Sequence, residues 1–292
     1  MTDLIHIANT HLSAAINPLG AELTHLRDAS GAELMTDADP AFWPRHAPIL
    51  FPVIGMTGGG TIRVDGTDYP MPKHGFARDR GFAVVEQGDD HVTFALADDA
   101  GTRAHYPFAF RLEIAFRLDA ATLAIEARLV NPADVPLLAQ FGFHPAFAWP
   151  LPYGAARADH RIVFDRDEPA CLAEITADGL IAAETRDSPL RDGRTLALAD
   201  ALFEHDALVW DPVASGSVAY GADGGPHLRI AFPETPRLGI WTKPGAAFIC
   251  VEPWHGLADP VGFAGEYRDK PGVFAVAPGE TKTIGMSVTL VA

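Results

Sequence analysis

A chain of 292 residues with 48% hydrophobic and 21% charged side chains is long enough to bury a large core, and its composition is that of an ordinary globular protein. Its 38 acidic residues against 22 basic ones give a formal net charge of -16, which opposes a polyphosphate backbone or an anionic bilayer and argues against nucleic-acid and membrane partners. The two cysteines, Cys171 and Cys250, are far apart and form no CxxC pair; they support neither a disulfide framework nor a thiolate zinc site and read as buried free thiols.

Along the chain, Met1 to Ile7 lacks a basic segment followed by a long apolar stretch, and no apolar run reaches the ~18 residues of a spanning helix. A cytoplasmic location is the default expectation. Turn chemistry begins at Asn17-Pro18-Leu19-Gly20 and recurs at Asp65-Gly66. Between them, Gly58-Gly59-Gly60 lacks a following Gly-Lys-Ser/Thr and reads as a turn rather than a phosphate loop.

Strand periodicity appears at His91 to Leu96, where Val92, Phe94 and Leu96 alternate with polar or small residues. It is clearest from Arg111 to Val130. Leu112, Ile114, Phe116 and Leu118 lie on one face, Asp119 to Thr122 turns the chain, and Leu123, Ile125, Ala127 and Leu129 follow, which predicts a hairpin with one buried face. Leu196 to Phe203 carries weak helical periodicity. Alternation returns at His227 to Phe232 and, after turns at Lys243-Pro244-Gly245 and Pro278-Gly279, from Ile284 to Leu290. With 27 glycines and 24 prolines, no long amphipathic helix, no repeat and no linker, the pattern predicts one all-β domain over residues 1–292, a large antiparallel sandwich with few short helices.

Three segments place ionisable groups on stiff backbone among aromatic rings: Lys73-His74-Gly75-Phe76-Ala77-Arg78, Phe141-Gly142-Phe143-His144-Pro145 and Cys250-Val251-Glu252-Pro253-Trp254-His255-Gly256. Strand alternation puts Gln140 and His144 opposite Phe141 and Phe143, and puts Phe248, Cys250 and Glu252 opposite Ile249 and Val251. Pro145 and Pro253 each favour an extended residue before them. A carboxylate at the end of an apolar strand needs a partner or a task. None of the 12 histidines lies in an HExxH spacing and no GxSxG is present, so metal hydrolysis and serine acyl transfer lack support, and no metal or cofactor is expected.

At these segments the chain resembles the aldose 1-epimerase (galactose mutarotase-like) superfamily, in the bacterial branch that carries PILFP, MPxHGFARD, FGxHPAF and ExPWxGxAD. These correspond here to Pro48 to Pro52, Met71 to Asp79, Phe141 to Phe147 and Glu252 to Asp259. The resemblance implies the galactose mutarotase-like supersandwich and an isomerase acting at the anomeric centre of a free aldohexose, working as a monomer or homodimer. By motif position, Glu252 resembles the general base, His144 the general acid, His74 a second histidine on the ring-oxygen side, and Asp206 a carboxylate that grips sugar hydroxyls. The chain departs from the pattern at Gly55-Met56-Thr57, where many relatives have Gly-Arg-Leu, leaving Arg45 and Arg78 as candidates for the missing arginine.

Trp254, Phe143 and Phe76 could pack on the C–H face of a pyranose. Lys73, Arg78, Arg80 and Lys243 could clamp a phosphate, which keeps a hexose-6-phosphate 1-epimerase as an alternative. A non-catalytic sugar-binding protein is a further one. The four candidates His74, His144, Asp206 and Glu252 are expected to line one pocket on a concave sheet face.

Overall fold

The computed structural model describes residues 3–169 and 171–292. Every named strand pair is antiparallel, and two large sheets carry most of the chain. The nine-stranded sheet runs, edge to edge, Thr195–Ala197, Arg161–Phe164, Ser217–Gly221, His227–Ala231, Thr281–Val291, Thr122–Val130, Arg111–Asp119, His91–Ala97 and Ala83–Gln87. The hairpin read from the sequence is its centre. Leu118, Phe116, Ile114 and Leu112 stand opposite Leu123, Ile125, Ala127 and Leu129, all buried on one face, which is where cross-strand apolar pairs contribute.

The eight-stranded sheet is ordered Ile181–Arg186, Leu172–Ile175, Leu208–Trp210, Arg237–Trp241, Phe248–His255, Phe141–Phe143 and Ile49–Leu50, with Ala146–Ala148 also paired to Phe248–His255. Its inner face shares one hydrophobic core with the nine-stranded sheet: Leu238, Ile240, Ile249 and Val251 belong to the same cluster as Phe94, Phe116, Ile230 and Val288. The Phe164 and Trp210 rings meet across the two sheets at 4.9 Å. Sheet-on-sheet packing of this kind is a β-sandwich.

A three-stranded sheet, Ile5–Ala8, Leu12–Asn17 and Glu22–Asp28, the hairpin Thr61–Val64 with Thr67–Pro70, and the long-range pair Leu137–Ala139 with Phe274–Val276 complete the strands. The one α-helix among the described residues, Ala100–Arg103, is a single turn held by an Asp99/Thr102 capping box. No helix there is long and apolar enough to cross a membrane.

Two sequence expectations need correction. Leu196 to Phe203 is not a helix: Thr195–Ala197 is a strand and Asp200–Phe203 a 3-10 turn. Leu196 pairs with Ile162 and is fully buried with Leu198 close behind, a two-residue spacing that fits a strand, and the segment is too short for a stable helix nucleus. The thiols differ too, since Cys250 is buried but Cys171 is exposed.

Candidate functional site

The strand Phe248–His255 faces two ways. Ile249 and Val251 enter the core between the sheets, while Cys250 and Trp254 belong to clusters on the other side of the sheet, and Glu252 shares their parity. On the neighbouring strand Arg237–Trp241, Leu238 and Ile240 point into the core, which turns Gly239 and Trp241 outward beside Glu252.

Two glycines make room for Trp254. Gly142 stands opposite Trp254 in the register, and Gly239 opposite Glu252. A Cβ at Gly239 would lie 2.7 Å from the far edge of the Trp254 ring, and one at Gly142 2.7 Å from its Cδ1. The indole therefore lies flat across both flanking strands, occupying space that any side chain would take.

Above this surface opens a cavity of about 210 Å³, lined by His74, His144, Asp206, Glu252, Trp254 and Arg78 among others. The fold thus brings together six of the seven residues singled out from the sequence. Arg45 is not among the lining residues; its Nη2 is paired with Asp79 at 2.7 Å. Arg78 donates from Nη2 to the Lys73 carbonyl at 2.7 Å, and Lys73 also lines the cavity. Of the other two cations considered, Arg80 lies over the Phe76 ring and Lys243 bonds to the Phe42 carbonyl.

At the centre, His144 Nε2 lies 3.1 Å from Glu252 Oε2. Both residues are nearly devoid of solvent exposure, 7% and 1%. Burial drives each toward its neutral form. It pushes the Glu252 carboxyl well above the usual carboxylate range, with Asp206 adding repulsion and Lys73 pulling the other way. It pulls the His144 imidazole down to about 3, and the charges of Arg78, Lys73 and Arg45 add to that. Glu252 Oε2, His144 Nδ1 and Trp254 Nε1 make no hydrogen bond with any described residue, so polar capacity inside the cavity is left for a ligand.

His74 and Asp206 sit on left-handed backbone, at φ 66° and 73°. The Gly55 N–H donates to His74 Nδ1 at 3.1 Å, which leaves the proton of the neutral ring on Nε2. Burial, then the neighbouring His144, hold that imidazole well below its ordinary pKa. It is a neutral hydrogen-bond donor. Asp206 Oδ1 accepts from the Ala207 N–H at 2.7 Å, and no cation is paired with its carboxylate among the described residues.

Aromatic walls enclose His144. Trp43 is stacked on it with centroids 4.9 Å apart, and Trp241 and His74 meet it edge-on at 6.0 and 5.9 Å. Sequence reasoning missed Trp43 and Trp241. The parity of Leu238 and Ile240 would have pointed Trp241 outward; Trp43, in the loop segment Phe42-Trp43-Pro44, carried no periodic signal. Phe76 and Phe143, considered as sugar platforms, are instead core residues at 5% and 2% exposure. Phe143 has the parity of Phe141, and Phe76 packs against Phe51.

The opposite wall is aliphatic: Ile54, Ile175, Ile181, Ala207 and Leu257 gather around Trp254. Ile175 and Ile181 come from the edge hairpin formed by Leu172–Ile175 and Ile181–Arg186. Its turn docks on the chain beneath: a Cβ at Gly179 would stand 2.9 Å from Met56 Cγ, and Ile181 N–H donates to the Asp259 carbonyl. Asp259 is a structural member of its motif, accepting from the Gly58 N–H at 2.7 Å and pairing with buried Lys270.

Comparison with known proteins agrees with this architecture. A solved galactose mutarotase related enzyme from Lactobacillus acidophilus superposes with a TM-score of 0.90 at 28% identity, covering 99% of this chain and 97% of that one. A galactose mutarotase-like protein from Lactobacillus casei gives 0.91 at 29% identity, covering 99% and 100%. Protein LacX of Lactococcus lactis is 30% identical over 295 residues, which is 98% of this chain and 99% of its own. The family described as aldose 1-epimerase matches residues 3–271, and with the sandwich and the cavity described above, the chain belongs to that family.

Proposed function

We propose that this protein interconverts the α and β anomers of a free aldohexose by acid–base ring opening and reclosure, with Glu252 as base, His144 as acid, and His74 and Asp206 holding the sugar. The observation that carries the reading is the 3.1 Å approach of His144 Nε2 to Glu252 Oε2 at a cavity also lined by His74 and Asp206.

Anomerisation needs a proton taken from the C1 hydroxyl and one given to the ring oxygen, after which the C1–O5 bond opens, the aldehyde turns about C1–C2 and the ring recloses. One base and one acid suffice. Because burial favours the neutral carboxyl and neutral imidazole, the resting pair holds one proton. Once the imidazole turns into line with Oε2, 3.1 Å away, passing that proton to Nε2 gives a carboxylate beside an imidazolium, the form that attacks. The raised affinity of Glu252 for protons makes the ionised form a strong base. His74, neutral and with Nε2–H free of its backbone contact, is suited to orient the sugar by donating a hydrogen bond. Trp254 supplies a flat apolar surface of the kind that receives a pyranose C–H face.

One feature favours a second reading in which the sugar is a hexose 6-phosphate: two cations, Lys73 and Arg78, line the cavity of a chain whose net charge is -16. The remaining class, sugar binding without catalysis, has no use for a close acid–base pair. Magnetisation-exchange NMR on α-glucose, α-galactose and glucose 6-phosphate, with and without protein, tests all three. Accelerated exchange with the free sugars is the expected result. Acceleration with the phosphate alone selects the second reading, and binding without acceleration of any of them overturns the catalytic one.

A further inference from the structure

Cys250 has no part in the chemistry above, yet it lies two residues before Glu252 on the same strand face, with 0% solvent exposure. Its sulfur, a ring nitrogen of His144 and a carboxylate oxygen of Glu252 all lie within 4.8 Å of one another. No spacing in the sequence announces this set, because His144 follows a different strand, Phe141–Phe143, that pairs alongside Phe248–His255.

The donors have the chemistry of a zinc-type site. Thiolate, imidazole and carboxylate bind such an ion at about 2.3, 2.0 and 2.1 Å, so neighbouring donors in a tetrahedral shell stand roughly 3.3–3.7 Å apart. The observed set needs an adjustment of about an ångström, within the reach of side-chain rotation. Glu252 Oε2 and His144 Nδ1 make no hydrogen bond with the described residues. A dication bound by a thiolate, a carboxylate and a neutral imidazole also leaves the buried site with no net charge, which limits the cost of desolvation. The cavity gives access, since His144 and Glu252 both line it, and it leaves a fourth position for water.

We propose that His144, Cys250 and Glu252 form an inhibitory site for a thiophilic divalent cation, bound in competition with the sugar. On binding, the thiol proton and the Glu252 carboxyl proton pass to solvent, and the ion takes the two groups that would otherwise serve O1 and O5. The inhibitory consequence rests on the function proposed above; the ligation does not. Thiolate preference sets the site toward zinc and cobalt and away from magnesium and calcium.

Cobalt(II) alone is the optical probe. Titrated into sugar-free Cys171→Ser protein, which removes the exposed thiol, it is expected to give a near-ultraviolet thiolate-to-cobalt band that saturates at one equivalent and disappears in Cys171→Ser/Cys250→Ser. Zinc(II) should inhibit anomerisation competitively, with Cys250→Ser weakening that inhibition by at least about tenfold, the scale on which even outer-shell partners of a metal are felt. If the Cys250 variant does not fold, zinc-edge X-ray absorption of zinc-loaded Cys171→Ser protein should still show one sulfur neighbour. A band that survives loss of Cys250, a zinc shell without sulfur, or inhibition that sugar does not relieve overturns the site. Turnover with no cobalt band removes this inference and leaves the proposed function standing; a cobalt band with no turnover on any sugar does the reverse.

Discussion

The imidazole of His144 stacks on the indole of Trp43, with ring centroids 4.9 Å apart and planes 26° from parallel. Trp43, half-buried at the cavity wall, covers part of that ring face and helps hold its orientation. Trp43→Ala should lower turnover by about ten- to a hundredfold through misplacement of the acid. It should also raise the His144 pKa, because burial is the main cause of its depression. Titration of the His144 Cε1 proton by NMR checks the second effect, and an unchanged or lower value would refute it.

Glu252→Gln keeps the shape of the side chain but cannot accept the C1 proton. Anomerisation should fall by about 10² to 10⁴ while sugar affinity, measured by calorimetry, stays near wild type. Undiminished turnover in this variant would remove Glu252 from the role of base.

Asp206→Asn tests an electrostatic link. The Asp206 charge is the second cause, after burial, of the raised Glu252 pKa. Taking that charge away lowers the proton affinity of Glu252. The high-pH limb of kcat/KM, where the pair loses its one proton and stops working, should therefore move to lower pH, alongside a rise in KM from the lost hydroxyl contact. A limb that moves upward would contradict the coupling.

Gly239→Ala addresses the seat of Trp254. The new methyl would stand 2.7 Å from the indole, so the ring must tip into the cavity or the strands must part. Overpacking of this kind costs about 1–3 kcal/mol. A lower denaturation midpoint together with a raised KM is expected, and wild-type values for both would show that the indole is not confined there.

Much of this fold was legible in the sequence because its central strands are buried on one face only. The run from Arg111 to Val130 alternates without a break, so period, turn and facing residues could all be read, and the observed register pairs them accordingly. The same parity placed His144 opposite Phe143 and Glu252 opposite Val251. What stayed hidden depends on contacts between distant segments. Trp43 reaches His144 from a loop; Cys250 and His144 meet only because their strands are neighbours. Arg45, a candidate for the arginine missing at Gly55-Met56-Thr57, has its guanidinium paired with Asp79. Leu196 to Phe203 misled because four large apolar residues within eight positions fit a helix or a strand followed by a turn, and only pairing with Ile162 decides between them.

The cavity draws its two halves from parts of the sheet that differ in how freely they can change. His144, Glu252 and Trp254 are carried on or beside central strands bonded on both sides, where an altered residue disturbs two neighbours at once. Ile175, Gly179 and Ile181 belong to a hairpin at the sheet margin, whose stretch Ala183–Thr185 is open to water. Lengthening or reshaping that hairpin would redraw the far wall without moving the acid or the base. If the proposed function holds, an edit confined to this margin would change which sugar fits while His144 and Glu252 stay where the central strands put them.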